Sequence, residues 1–249
     1  MHKRRQQITE LVNTRGRIEL QQLATHFNVS VQTIRTDVRV LAQQGLILRN
    51  HGEVLPFPHR ENISYDQRRI RNAGGKRRIG SLCAQWLNGY QTLFLGTGST
   101  VAELSAQLGA LKGLQILTNN LHAARLLCGH PDCALTIAGG RVRQRDQDVI
   151  GGDALRFFQR YQADIAITSV GAMDDGGRLY DYNDDEVMAR EAMLEQSRFH
   201  ILLIDSSKFG THAPCSAGRL EQYDLVVSDT PLPPRLHAGL KASGRNTLC

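Results

Sequence analysis

The segment with the clearest potential for chemistry is Gly96-Thr97-Gly98-Ser99-Thr100, which follows the apolar run 91–95. Glycines let backbone N–H groups approach an anion closely, hydroxyl groups add donors, and a following helix N-terminus adds positive dipole charge. Val101 replaces the third glycine of the dinucleotide fingerprint, and no Gly-Lys-Ser/Thr of a Walker A loop follows. The segment therefore predicts a site for the phosphate of a small metabolite, with a ligand-free glycine-rich turn as the alternative.

Polar side chains follow several other apolar segments. Together with the glycine-rich segment, the residues expected at an effector site are Thr118, Asn119, Gly140, Asp181, Glu186 and Lys208. Lys208 would pair with a phosphate, whereas Asp181 and Glu186 would accept hydroxyl protons. An acidic first helical turn is also ordinary capping, which is the alternative for Glu186. Parallel strands bring their carboxyl ends to one sheet edge, so we expect these residues to converge there.

A second set of residues is suited to reading DNA. Ser30 is a good N-cap, and the apolar positions after it, such as Ile34 and Val38, repeat at the helical period. The opposite side of this helix is polar, and side chains of these types bond base edges and phosphates. The residues predicted to contact DNA are Ser30, Gln32, Thr33, Arg35, Thr36, Arg39, Arg49, Asn50 and His51. For His51, a plain turn residue is the alternative.

The elements that would position these residues form two domains. Helices are predicted near 3–13, 20–27 and 31–43, followed by strands at 46–49 and 53–55 around a turn at Asn50-His51-Gly52. This order is that of a winged helix-turn-helix, assigned to residues 1–57. Residues 58–75 begin with the second proline of Pro56-Phe57-Pro58, contain several arginines and are predicted to be a linker. Strands and helices then alternate from residue 76 to 249, which predicts a mostly parallel α/β domain.

Composition and charge narrow the class of protein. Residues 1–78 contain 15 Lys/Arg against 6 Asp/Glu, a net charge of +9, whereas residues 79–249 have a net charge of −3. A basic head of this kind is typical of nucleic-acid binding. No apolar run reaches about 18 residues and the first residues lack an apolar signal segment, so a cytoplasmic protein without membrane association is expected. Five irregularly spaced cysteines predict free thiols and no metal site, and no cofactor is implied.

Both halves resemble the DeoR family of bacterial transcriptional regulators. The head carries its motif as residues 29–38 and 46–52, and the body carries its sensor pattern at Gly96–Thr100, Leu117–Asn120 and Asp205–Gly210. The resemblance implies a sensor domain like ribose-5-phosphate isomerase and sugar-phosphate deaminases, which binds a phosphorylated sugar or polyol and then releases DNA. It also implies a homodimer or homotetramer.

Three residues depart from the pattern of this family. Thr36 stands where a second arginine is usual, Glu53 where a second glycine is common, and Glu19 where Ser or Thr usually caps the second helix. The first two departures are expected to weaken phosphate contacts or to alter the operator that is read. Divergence in the acidic segment before Glu186 leaves the identity of the effector open.

Two functions are compatible with these observations. The first is a DNA-binding regulator, a repressor of a carbohydrate or polyol catabolic operon that is released from double-stranded operator DNA by a phosphorylated sugar or polyol. The second is a phosphosugar isomerase or deaminase, in which a carboxylate such as Asp181, Glu186 or Asp205 would be the base. The basic head favours the regulator, because catalysis would not need it. The sequence does not separate a repressor from an activator.

Overall fold

A computed structural model describes residues 2–43, 47–50, 52–56 and 64–249 of the chain. The chain divides into two compact units, Met1–Glu61 and Asn62–Cys249. Within the described ranges, none of the helices has the length and apolar character needed to cross a membrane.

The N-terminal unit contains three helices and a small antiparallel sheet. Its elements are α1 (His2–Arg15), β1 (Ile18–Glu19), α2 (Leu20–His26), α3 (Val31–Gln43), β2 (Ile47–Asn50) and β3 (Glu53–Pro56). The strand order is β1-β3-β2, and both pairs are antiparallel. The prediction of a winged helix-turn-helix fold is confirmed; residues 44–46 and His51, which the sequence places at the end of α3 and in the hairpin turn, lie outside the described residues.

One apolar cluster holds the N-terminal unit together. Ile8, Leu23, Ile34 and Val38 are fully buried in it. Ile34 and Val38 are four residues apart on α3, so both face the interior. The opposite face of that helix is therefore left in solvent. Burial of each such side chain contributes about 1.5–3 kcal/mol. The core therefore fixes which side of α3 is free.

The C-terminal unit is an α/β domain. Its elements are α4 (Tyr65–Ile70), α5 (Ala73–Trp86), β4 (Thr92–Leu95), α6 (Ser99–Ser105), β5 (Leu114–Thr118), α7 (Leu121–Leu127), β6 (Cys133–Ile137), β7 (Val142–Arg143), β8 (Asp148–Val149), α8 (Gly152–Gln159), β9 (Ala163–Ser169), β10 (Ala172–Met173), β11 (Arg178–Asp181), α9 (Asp184–Glu195), β12 (Ser197–Ile204), β13 (Cys215–Arg219), β14 (Leu225–Ser228), α10 (Pro234–Ala242) and β15 (Asn246–Leu248).

Seven parallel strands form the central sheet, in the order β15-β14-β12-β9-β4-β5-β6. Successive side chains of a strand face opposite sides, so alternate residues feed different cores. Leu93 and Leu95 pack in a cluster with α5 and α6, whereas Phe94 packs with α8 and α9 on the other side. The predicted mostly parallel sheet, covered on both faces, is confirmed.

Several elements were not predicted. The helix α8 and the antiparallel sheet β10-β11-β13 are absent from the sequence prediction, because they are short. In addition, α6 begins at Ser99, three residues earlier than the predicted start at Ala102. Ser99 and Thr100 are therefore the first residues of a helix, and both are buried.

The predicted linker, residues 58–75, also differs from the structure. Residues 64–75 belong to the C-terminal unit and contain α4 and the start of α5. Tyr65 is buried, with its ring stacked on the ring of His122 at a centroid distance of 3.3 Å. Arginine-rich composition indicated a solvated connection, but the polar side chains of this segment find partners in the domain, as described below.

Candidate functional site

The exposed face of α3 carries the residues predicted to read DNA. Ser30 Oγ accepts the backbone N–H of Thr33 at 3.1 Å, which is the predicted N-cap. The residues Gln32, Arg35, Thr36 and Arg39 are exposed, whereas Thr33 is half-buried and its hydroxyl lies 2.9 Å from Ser30 Oγ. Four polar side chains on one solvent-facing side of a packed helix can reach base edges and phosphates.

Asp37, on the buried side of α3, ties that helix to α1. Its carboxylate accepts hydrogen bonds from Nε of Arg4 and Nε of Arg5, each at 2.7 Å. Burial alone would raise the pKa of Asp37, but the hydrogen bonds and charges of Arg5 and Arg4 outweigh it, and the pKa lies below its usual value. The sequence analysis did not assign a role to Asp37. The adjacent Arg4 and Arg5 could have indicated one, because a buried carboxylate needs positively charged partners.

The hairpin after α3 is closed by Gly52 at φ +91°, a left-handed conformation that glycine adopts without strain. Arg49 is exposed on β2, and Asn50 pairs through its backbone with Glu53. The unusual Glu53 forms an ion pair with Arg17 at 2.5 Å. The predicted contact His51 lies outside the described residues, so its role stays a prediction.

The glycine-rich segment of the C-terminal unit lies at the carboxyl end of β4, next to β5. Gly98 has φ +105°, and the Asn120 side-chain amide donates to the carbonyl oxygens of Gly96 and Gly98, each at 3.1 Å. Thr118 Oγ1 donates to Leu95 O at 2.7 Å, so its hydroxyl serves the fold. The neighbouring strand thus fixes the shape of this segment.

A small cleft opens beside this segment, between the ends of β4, β5 and β9 and the helix α9. It is lined by Gly96, Thr97, Asn119, Thr168, Ser169, Glu186, Ala189, Arg190 and Met193. Four of the predicted effector residues, Gly96, Thr97, Asn119 and Glu186, are among them. Thr168, Ser169 and Arg190 were not predicted. The polar residues at the end of β9 carry the same signal as those at the end of β5, whereas a residue in the interior of a helix carries no local signal for a site.

The other predicted effector residues do not line the cleft. Lys208 is next to it, because its Nζ donates to Ser169 Oγ at 3.0 Å. Asp181 forms an ion pair with Arg190. Three of them, Gly98, Ser99 and Thr100, belong to the glycine-rich segment itself. Thr118 is the last residue of the neighbouring strand β5. Gly140 has φ +141° and lies against Asp153, whose Oδ2 would be 2.7 Å from an added Cβ; close packing explains this glycine.

The half-buried Lys208 forms a group of charges with the buried residues Asp205 and Lys76. Burial lowers the pKa of Lys208 to about 8 and that of Lys76 to about 8, and Asp205 opposes both shifts. Burial would raise the pKa of Asp205, but the two ammonium groups outweigh it and hold the pKa below its usual value. A lysine that is both charged at neutral pH and poorly hydrated is a strong partner for an incoming anion.

Glu186 is the acidic residue of the cleft. Arg143 Nη2 donates to Glu186 Oε1 at 2.5 Å and to Asp148 Oδ2 at 2.7 Å, and Asp146 lies 3.2 Å from its Nε. Arg68 pairs with Asp146 as well. Burial raises the pKa of Glu186 in spite of Arg143. The carboxylates of Glu186, Asp148 and Asp146 share the guanidinium groups of Arg143 and Arg68. This excess of hydrogen-bond acceptors can take up an added proton or a further hydrogen-bond donor.

Helix α4 and the residue that follows it contact three parts of the C-terminal unit, which are helix α7, the turn between β7 and β8, and the segment after β12. Arg71 Nη2 donates to Ser207 O at 3.0 Å, next to Lys208. Lys76 Nζ donates to the carbonyl oxygens of Arg68 and Arg71, the latter at 2.6 Å, and so holds the end of α4. The stacked Tyr65 and the Arg68 ion pair complete these contacts.

No metal site is found among the described residues, where His, Cys, Asp and Glu form no cluster of three or more that could hold an ion.

Two domain families match the chain. Residues 4–55 match the DeoR-like helix-turn-helix domain and residues 71–230 match the DeoR C terminal sensor domain.

Named relatives cover most of the chain. The glycerol-3-phosphate regulon repressor of Escherichia coli is 35% identical over 91% of this chain and 90% of its own length. The HTH-type transcriptional repressor CsqR of the same organism is 30% identical over 96% of this chain and 92% of its own length. Among solved structures, ribose 5-phosphate isomerase A of Methanocaldococcus jannaschii is 16% identical, with a TM-score of 0.41 over 55% of each chain.

Proposed function

The chain belongs to the DeoR family of transcriptional regulators, and on that premise we propose that it is a repressor released from its operator by a phosphorylated sugar or polyol. Family membership makes the chain a DNA-binding regulator rather than an enzyme. The repressors named among its relatives support the sign of regulation proposed here.

The observation that carries DNA binding is the exposed polar face of α3. Gln32, Arg35, Thr36 and Arg39 face solvent, while Ile34 and Val38 on the other side are fully buried. This geometry suits insertion into the major groove, with Arg49 on the hairpin contacting the backbone or a minor groove. The net charge of +9 in residues 1–78 would attract the duplex before any specific contact forms.

The effector would bind at the cleft of the C-terminal unit. The glycine-rich segment 96–100 would offer backbone and hydroxyl donors to a phosphate, and Lys208, close to Ser169, would offer a charge. Thr97, Asn119, Asp181, Glu186 and Gly140 complete the predicted effector site, in which Asp181 and Gly140 would act by supporting their neighbours. The named glycerol-3-phosphate repressors make a three-carbon polyol phosphate the first compound to try.

Binding of the effector would favour an arrangement unable to hold DNA. A coupling of about 1–3 kcal/mol, roughly 5–150-fold in operator affinity, is typical of such regulation. A homodimer or homotetramer would present two heads to half-sites about 34–36 Å apart or at multiples of this distance. Action on chromosomal DNA implies a cytoplasmic protein.

A fluorescence anisotropy titration tests the proposal. The full-length protein is titrated into labelled duplex taken from upstream of its own gene, with a scrambled duplex as control. We expect specific binding to the labelled duplex. Glycerol 3-phosphate or another sugar phosphate should weaken this binding at least fivefold, whereas the unphosphorylated compound should not weaken it. Equal effects of both compounds, or equal affinity for both duplexes, would contradict it.

A further inference from the structure

Two buried polar atoms in the cleft lack hydrogen-bond partners. Within the described residues, these are Nη1 of Arg190 and Oδ1 of Asn119. The exposed fractions are 6% for Arg190 and 1% for Asn119, so neither atom is free to turn to bulk solvent. A buried polar atom without a partner is unfavourable, and such atoms usually meet a ligand or an ordered water.

Both side chains are held in place by their other atoms. The Asn119 amide donates through Nδ2 to Val149 O at 2.8 Å. Arg190 pairs through Nη2 with the buried carboxylate of Asp181. Each residue is therefore fixed in orientation and leaves one defined atom over: Arg190 offers a donor and Asn119 an acceptor.

The surroundings of these two atoms disfavour an anion. The charge of Arg190 is already balanced by Asp181, and the carboxylate of Glu186 lines the same cleft. The enclosed space of the cleft is about 10 Å³, about one water-sized sphere, so it takes a hydroxyl group but not the phosphate, which the proposed function places against residues 96–100 and Lys208. The hydroxyl group, which accepts one hydrogen bond and donates another, matches this pair in both chemistry and size.

From these observations we infer that Arg190 and Asn119 form a hydroxyl subsite, which selects among phosphorylated effectors by a hydroxyl remote from the phosphate. This inference rests on the proposed function, in which the phosphate itself binds at residues 96–100 and Lys208. A compound that lacks the hydroxyl leaves both buried atoms unpaired, and sites built on such hydrogen bonds reject the deficient analogue strongly. The subsite thus accounts for selectivity, whereas the glycine-rich segment accounts for the requirement for phosphate.

The test compares matched pairs of probes on the full-length protein by isothermal titration calorimetry. The pairs are glycerol 3-phosphate with propanediol 1-phosphate, ribose 5-phosphate with 2-deoxyribose 5-phosphate, and glucose 6-phosphate with 2-deoxyglucose 6-phosphate; inorganic phosphate is titrated alone. In at least one pair, the hydroxylated compound is expected to bind tenfold or more tightly than its deoxy partner. Arg190→Lys keeps a charge for Asp181 but replaces the two directed nitrogens of the guanidinium by one ammonium held at Asp181, so this ratio should fall below about threefold.

The controls separate the two proposals. Arg156→Lys changes an exposed arginine paired with Asp153 at the surface and should leave the ratio unchanged. Asn119→Ala removes the acceptor and serves as the second variant should Arg190→Lys lower the melting temperature. Inorganic phosphate should bind wild type and variants within twofold. Phosphate compounds that bind without discrimination, or a ratio that both variants retain, would overturn the subsite alone. If neither inorganic phosphate nor any sugar phosphate binds, both the subsite and the proposed effector class fail.

Discussion

The two units of the chain use charged residues in opposite ways. In the N-terminal unit, most described arginines lie at the surface, and Asp37 is the buried charge among its described residues. In the C-terminal unit, Lys76, Asp205, Glu186 and Arg190 are all buried. Exposed charges act over about 10 Å and are weakened by salt, whereas buried charges act on whatever touches them and are screened little. The exposed charges of the first unit suit the attraction of a polyanion over a distance, and the buried charges of the second suit direct contact with the proposed effector.

Among the tests of this contrast between exposed and buried charges, we expect the largest effect from the exposed arginines of α3, measured as a loss of operator affinity. Replacing Arg35 and Arg39 together by alanine should weaken operator binding by roughly 10²- to 10⁴-fold, since each contact is worth about 1–3 kcal/mol. Arg125→Ala, an exposed arginine of the C-terminal unit, should have little effect in the same anisotropy titration. A double variant that binds within threefold of wild type would place the DNA-reading surface elsewhere.

The one buried carboxylate described in the N-terminal unit should matter for folding. Asp37→Asn is expected to lower the free energy of unfolding by about 2 kcal/mol, less than the roughly 3–5 kcal/mol for a fully buried pair, because Arg4 and Arg5 are partly exposed. The pKa of Asp37 is lowered, so its stabilisation is present above about pH 3.8 and is lost as the pH falls through the folded-state pKa.

Urea unfolding followed by circular dichroism, at pH 7 and at pH 3, measures this difference. Glu10→Gln, at an exposed position of α1, is the control and should change stability by less than about 0.5 kcal/mol. A pH-independent cost of Asp37→Asn would mean that the side chain acts through packing instead of charge.

In the C-terminal unit, the charge of Lys208 should make effector binding depend on pH. Because the pKa of Lys208 is about 8, the ammonium is charged below that pH and becomes neutral above it. Phosphate affinity should therefore fall up to tenfold per pH unit above about pH 8. Calorimetry between pH 7 and 9.5 checks this, and Lys208→Arg should flatten the profile. A wild-type affinity that is constant over this range would exclude Lys208 as the phosphate partner.

The smallest effect concerns the hairpin. Arg49→Ala should reduce the slope of log affinity against log salt concentration by about one, with a modest loss of affinity that is the same for specific and scrambled duplex. Titrations between 50 and 300 mM potassium chloride, roughly the range in which such slopes are linear, would show it. An unchanged slope combined with lost specificity would instead assign Arg49 to base reading.

The sequence predicted those parts of the structure that depend on neighbours along the chain. The register of α3 follows from apolar residues at helical spacing, and the parallel strands follow from short apolar runs between helices. Asn119 and Glu186 were predicted because each stands at the end or start of such an element, and both line the cleft.

What the sequence could not predict depends on partners far apart in the chain. Arg143 and Glu186 are 43 residues apart, and Arg68 and Asp146 are 78 apart. Composition alone made residues 58–75 a linker, since nothing local indicates that Arg68 pairs with the distant Asp146. Arg190 was missed for the same reason: inside a helix it has the pattern of a solvent-facing arginine, and only the fold shows that it is buried beside Asp181.

Helix α4 has a mechanical consequence. Through Tyr65, Arg68 and the following Arg71 it contacts helix α7, the turn between β7 and β8, and the segment after β12, and Lys76 Nζ binds the carbonyl oxygens at its C-terminal end. These three parts cannot move apart independently without breaking at least one of these contacts. A displacement of any of them would therefore reach residues 65–71, on the stretch of chain that leads back toward residue 61, where the N-terminal unit ends.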